Sequence, residues 1–152
     1  LAGPPNVTID STKDSDFMTT AVNALSILVA DDEEGIRNLL VHWLQRQGHT
    51  AAAVGSAAEA SGLLQERRFD LVITDIVMPG GDGFELIASF RKWQPAARIV
   101  AISGGGKYLQ GTDCLKIARG LGANAVVMKP FKWDELQAAI DSALAPADAR
   151  LT

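Results

Sequence analysis

From Ser26 onward, short apolar runs alternate with segments of helical period, five times over. The runs are SILVA (26–30), a weaker one at 50–54, the stretch 70–74, RIVAI (98–102) and AVVM (125–128). Between the first two, Ile36, Leu39, Leu40, Trp43 and Leu44 fall on one helical face, and Gly48 closes the helix. Ser56 caps a second helix whose stripe is Ala57, Ala60, Leu63 and Leu64, with Glu59 completing a capping box. Residues 84–93 form a third helix that stops before Pro95, and 112–121 a fourth with Cys114, Ile117, Ala118 and Leu121 on one face. Trp133, Leu136, Ile140 and Leu144 mark a fifth, which ends before Pro146. Strict βα alternation implies a parallel sheet with helices on both faces. Near-continuous apolar strands agree, because both sheet faces are then covered.

The residues that follow these strands are not apolar. Asp31 and Asp32 follow the first, Asp75 the third, Ser103 the fourth and Lys129 the fifth. In an open parallel sheet those positions share the carboxyl edge, where ligands bind at a topological switch point. A strand order 2-1-3-4-5 sets strands one, three, four and five side by side, so three carboxylates, a hydroxyl and an ammonium converge. Three acids alone repel one another. Mg²⁺ removes that conflict, since it takes oxygen ligands from one or two carboxylates plus a phosphate. An Asp carboxylate is also a nucleophile that forms an aspartyl phosphate. Lys129 would then offset the incoming charge, and Ser103 would donate to a phosphoryl oxygen. Phosphoryl transfer needs mainly positioning and electrostatics, which this short set supplies.

Four stretches, VADDEE (29–34), TDIVMPGGDG (74–83), ISGG (102–105) and MKPF (128–131), together resemble the receiver domain of two-component response regulators over roughly residues 26–145. The resemblance implies an α/β, flavodoxin-like (βα)5 fold with a five-stranded parallel sheet. It implies Asp75 as phosphoacceptor, Asp31 and Asp32 with the backbone carbonyl of Val77 around Mg²⁺, Ser103 as switch hydroxyl and Lys129 as phosphate-pairing lysine. It also implies a cis peptide before Pro130. Two departures stand out. Val126 occupies the position, three before the lysine, that is usually Tyr or Phe. The Ser103-to-Lys129 spacing is longer than in most receivers, with the extra length in 104–113, where Tyr108 is a candidate substitute for the missing aromatic.

Simpler readings exist for each part. Acids at 31 and 32 suit any helix N-terminus. Asp75 as a plain turn residue leaves Lys129 unexplained, and GGGKY (104–108) lacks the Ser or Thr of a phosphate loop. His42 and His49 lie on or just after the first helix, away from the crevice, and read as surface or helix-end residues. Cys114 reads as a small core residue, and the three tryptophans as packing residues.

With 47% hydrophobic and 21% charged residues, the chain reads as a globular domain at 25–146. A Pro-, Ser-, Thr- and Asp-rich tail (1–24) precedes it and a short one (147–152) follows. Met18 offers a natural start, which would make 1–17 an expression remnant or an upstream segment. A net charge of −4 excludes the basic footprint of a nucleic-acid binder. A lone cysteine, no membrane-length apolar run and no signal-peptide pattern lead us to expect a cytoplasmic chain without nucleic-acid or membrane partners. Too few residues follow Phe131 for a DNA-binding output domain, so output would pass through protein contacts, or the chain is part of something longer. The reading is a phosphorelay receiver, not an enzyme beyond its own phosphorylation and dephosphorylation. It would take phosphoryl from a histidine kinase or histidine phosphotransfer protein and act on an unidentified downstream protein. A phosphatase with an aspartyl-phosphate intermediate would want a second acid where Val77 stands. A receiver-like adaptor that works without phosphorylation is the third class.

Overall fold

The structure, a computed structural model, describes residues 24–76, 78, 83–104 and 111–146, without the side chains of 83 and 111–115. Val77, Tyr108, the Cys114 side chain and all but one residue of the expected N-terminal tail fall outside that description. Five strands, β1 (Ser26–Ala30), β2 (Thr50–Val54), β3 (Leu71–Asp75), β4 (Arg98–Ser103) and β5 (Ala125–Met128), alternate with five helices. These are α1 (Glu34–Arg46), α2 (Ala57–Glu66), α3 (Gly83–Trp93), α4 (Gly111–Leu121) and α5 (Trp133–Leu144). All strand pairs are parallel, in the order β2-β1-β3-β4-β5. Each helix therefore carries the chain back from the carboxyl edge of the sheet to its amino edge.

Successive strand residues point to opposite faces. Ile27, Val29, Leu71, Ile73, Val100 and Ile102 pack with Leu40 and Leu44 of α1 and Leu136 and Ile140 of α5. Leu28, Ala30, Val72, Ile99 and Ala101 pack instead against α2, α3 and α4, through Leu64, Ile87, Phe90 and Ala118 among others. Each fully buried Leu or Ile contributes about 1.5–3 kcal/mol through removal from water. Two uninterrupted apolar layers explain why these strands read as runs rather than alternations.

Several helical faces are narrower than their apolar spacing predicts. On α1 only Leu40 and Leu44 are buried, whereas Ile36 and Trp43 are half-buried and Leu39 is 58% exposed. On α4, Ile117 is exposed while Ala118 is buried. A helix lying on a flat sheet buries only the part of its stripe that faces down; the flanks stay at the rim. The α2 cap also differs in detail. Ser56 Oγ accepts from Glu59 N (3.2 Å), but the Glu59 carboxylate takes the N–H of Gly55 (2.8 Å), one residue before the cap. Gly48, at φ +97°, adopts the left-handed conformation that ends α1.

Side chains brace the amino edge of the sheet. Arg91 Nε donates to Gly122 O (3.0 Å) and its Nη2 to Asn124 Oδ1 (2.6 Å), and that amide oxygen also accepts from Ile99 N (2.8 Å). Gly122 has φ +119°, and a Cβ there would lie 2.7 Å from Arg91 Cγ, so this turn demands glycine. Buried Gln94 donates to Leu64 O and Arg67 O at the end of α2 and accepts from Phe69 N (2.9 Å). His49 Nδ1 accepts from Leu25 N (3.0 Å), so this histidine anchors the entry to β1.

Candidate functional site

At the opposite edge the polar residues meet. Asp75 and Ser103 are the last residues of their strands rather than the first residues after them. Asp75 pairs in register with Ile102, and Ser103 with Met128. The ladders therefore hold both backbones to the very tip of the sheet. Both residues are buried, as is Asp31 just beyond β1, while Asp32 is exposed. Because β3 lies between β1 and β4, Asp75 has Asp31 on one side and Ser103 on the other. One carboxylate oxygen from each of Asp31, Asp32 and Asp75 lies within 4.8 Å of the others.

Lys129 reaches into this group from the end of β5. Its backbone N donates to Ser103 O (2.8 Å), and the following peptide, Lys129–Pro130, is cis. Its Nζ donates to Asp75 Oδ2 (3.0 Å) and to Glu33 Oε1 (2.9 Å). It also lies 3.1 Å from Asp31 Oδ2, an ion pair without hydrogen-bond alignment, so that this buried oxygen is left with no hydrogen-bond partner. Burial alone would lower the pKa of the ammonium, but Glu33, Asp75 and Asp31 outweigh it and hold the pKa above the ordinary value of 10.5.

Two further residues build the site, and neither stands out in the sequence as a ligand. Glu33 belongs to the acidic run at 31–34, yet only the helix start shows that its side chain turns toward Lys129. Arg37, one turn into α1, donates from Nη1 to the backbone carbonyl of Asp31 (2.8 Å) and so fixes the loop that carries two of the acids. No sequence signal marks it. A crevice of about 670 Å³ opens above these groups. Asp32, Glu33, Asp75 and Lys129 line one part of it, and Ile36, Leu39, Phe131 and Trp133 another. Trp133 stacks on Trp43 with centroids 5.1 Å apart, and Phe131 meets it edge-on.

The donor set suits a hard divalent cation. It consists of oxygens, carries excess negative charge even with Lys129 in place, and includes a buried carboxylate oxygen that lacks a hydrogen bond. Among the sequence candidates, Asp31, Asp32, Asp75 and Lys129 converge directly. Ser103 lies beside Lys129 along the strand ends, and Val77 lies outside the described residues. Val126 packs half-buried against the α2–α4 layer. Among the described residues no helix is long and apolar enough to cross a membrane.

Comparison with known proteins agrees with this geometry. A family model described as "Response regulator receiver domain" matches residues 27–141. The DNA-binding transcriptional regulator NtrC of Azospirillum brasilense is 34% identical over 123 residues, which cover 81% of this chain and 25% of that protein. NtrX from Brucella abortus superposes with a TM-score of 0.72 at 34% identity, covering 80% of this chain and 27% of that one. A response regulator from Burkholderia pseudomallei, solved with a phosphorylated aspartic acid, a calcium ion and citrate, superposes with a TM-score of 0.69 at 26% identity, covering 83% and 73%. The chain spans a quarter to about half of the length of the curated relatives it matches.

Proposed function

The chain belongs to the response regulator receiver family, and we propose that it is a phosphoaccepting module of a two-component phosphorelay, with Asp75 as the phosphoacceptor. The observation that carries this reading is the sharing of one ammonium, that of Lys129, by Asp75, Asp31 and Glu33 at the carboxyl edge of the sheet. The Asp75 backbone is held at a ladder's end and Lys129 Nζ donates to its carboxylate, which supports a nucleophile placed before any substrate arrives. In the proposed reaction a carboxylate oxygen of Asp75 attacks the phosphorus of a phosphohistidine. The N–P bond breaks, and the leaving imidazole keeps the electron pair and takes up a proton. Lys129 offsets charge on the transferred group, and Ser103 donates a hydrogen bond to one of its oxygens.

Asp31, Asp32 and Asp75 would hold Mg²⁺, with the backbone carbonyl of Val77 as a further ligand. When bound, that cation would neutralise charge on the phosphoryl oxygens. The chain would catalyse its own phosphorylation and dephosphorylation and no other reaction. Its phosphodonor would be a histidine kinase or a histidine phosphotransfer protein. Its output would be a shift between two conformations that changes affinity for a downstream protein. The receiver unit would run over residues 25–146 and work in the cytoplasm.

The test is intact mass after incubation with Mg²⁺ and acetyl phosphate, beside Asp75→Asn and a Mg²⁺-free sample. One added phosphoryl group, absent from both controls, is expected. An adduct that survives Asp75→Asn would move the phosphoacceptor elsewhere. No adduct, together with no binding of beryllofluoride, would make the chain an adaptor that works without phosphate.

A further inference from the structure

Glu33 does three things at once. Its backbone N–H donates to Asp31 Oδ1 (2.9 Å), its carbonyl accepts from Arg37 N (2.9 Å) in the first turn of α1, and its carboxylate accepts from Lys129 Nζ (2.9 Å). An ammonium offers three donor positions. In Lys129 one serves Glu33 and one Asp75, while Asp31 Oδ2 lies 3.1 Å away as an ion pair without hydrogen-bond alignment. A phosphoryl group on Asp75 therefore meets an ammonium already surrounded by three carboxylates, and it must draw that ammonium away from one of them.

The three differ in how readily they release it. Asp31 is buried, and its other oxygen is already bound by Glu33 N, so it has nowhere to turn. Asp75 is the residue that receives the phosphoryl group. Glu33 sits on the surface, its side chain 58% exposed against 14% for Lys129, and water is at hand to solvate it once released. Its neighbour Glu34, also exposed, has no ion pair among the described residues.

We propose that Glu33 is a positioning residue that keeps one hydrogen bond of Lys129 and so competes with the phosphoryl group for the ammonium. The strength of that tether then sets how tightly a phosphoryl group is kept on Asp75. This rests on Asp75 being the phosphoacceptor.

The test is a beryllofluoride titration at saturating Mg²⁺, followed by NMR, on wild type, Glu33→Gln, Glu33→Asp, Glu34→Gln and Asp75→Asn. Glu33→Gln removes the charge, whereas Glu33→Asp keeps it on an arm one methylene too short to reach Lys129. Both Glu33 variants are expected to bind the probe about two- to fivefold more tightly than wild type, the range that loss of a half-exposed ion pair gives. Glu34→Gln should match wild type. Glu33→Asp behaving as wild type, Glu34→Gln tightening as much as Glu33→Gln, or equal or weaker binding by the Glu33 variants would each overturn the tether. If wild type does not bind, or Asp75→Asn binds equally well, the assignment of Asp75 fails and the tether with it. Binding by wild type with a flat Glu33 series overturns the tether alone.

Discussion

The Lys129 ammonium lies 3.0 Å from Asp75 Oδ2 and 3.1 Å from Asp31 Oδ2, so one cation bridges the ends of β1 and β3. It occupies ground that a divalent cation would share. Two unit charges about 4 Å apart interact by about 1 kcal/mol even in bulk water. Lys129→Met should therefore bind Mg²⁺ more tightly than wild type, by about fivefold or more, while failing to accumulate phosphoryl. Isothermal titration with Mg²⁺ checks the first half and intact mass the second. Unchanged or weaker Mg²⁺ binding would mean that the lysine and the cation do not compete.

Arg37 makes no ion pair with an acid among the described residues, yet it grips the Asp31 carbonyl (2.8 Å). Groups that orient metal ligands typically contribute tenfold or more to affinity. Arg37→Ala should weaken Mg²⁺ binding by about tenfold with little loss of fold. Gly55 lies under the same guanidinium, where a Cβ would come 3.0 Å from Arg37 Nη1. Gly55→Val should therefore reproduce part of the Arg37 effect, and if it leaves Mg²⁺ affinity untouched, the guanidinium position does not matter.

Gln94 serves three backbone groups that no other described side chain reaches: Leu64 O, Arg67 O and Phe69 N. Replacement by Leu keeps the volume and strands them. Each buried group left unpaired costs about 1–3 kcal/mol, so Gln94→Leu should lower the unfolding free energy by about 2–4 kcal/mol in urea. Phosphoryl uptake by the folded fraction should be unchanged. A loss below about 1 kcal/mol would mean that water fills the gap.

Burial lowers the pKa of His49 below its ordinary 6.5, and its Nδ1 accepts a hydrogen bond only while neutral. The native state thus binds this proton less readily than the unfolded chain. Its contribution is present above pH 6.5 and is lost as pH falls below that value toward the folded pKa. The thermal midpoint of wild type should fall between about pH 7.5 and pH 5.5, a window that lies above the ordinary carboxylate values. His49→Asn, which keeps an acceptor at that place but does not titrate, should show a flatter profile. Parallel profiles would assign the slope to other groups.

Much of this was legible in the chain itself. Period and punctuation located all five strands and all five helices, because each strand here is a short apolar run and each helix has a stripe. The acids and the lysine were legible because a parallel sheet sends every strand end to the same edge. What stayed hidden depends on side-chain reach. The sequence places Asp75 and Ser103 just after their strands, since a carboxylate and a hydroxyl look like the end of a run of Leu, Val and Ile. The ladder continues through both because its hydrogen bonds are backbone bonds, indifferent to the side chain. Spacing places Leu39 on the buried stripe, but it is exposed, because it lies on the flank that lines the crevice. Arg37 carries no local pattern, as its partner is a main-chain carbonyl six residues earlier.

β1 begins, and α5 ends, at the amino edge braced by Arg91, Gln94 and His49. Ala24 and Pro146, at the two ends of the described unit, thus lie on the side facing away from Asp75. A fluorescent reporter or an affinity handle built in close to Ala24 or Pro146 is thereby anchored at the far end of the sheet from the acids, where its signal reports on the unit without crowding the crevice.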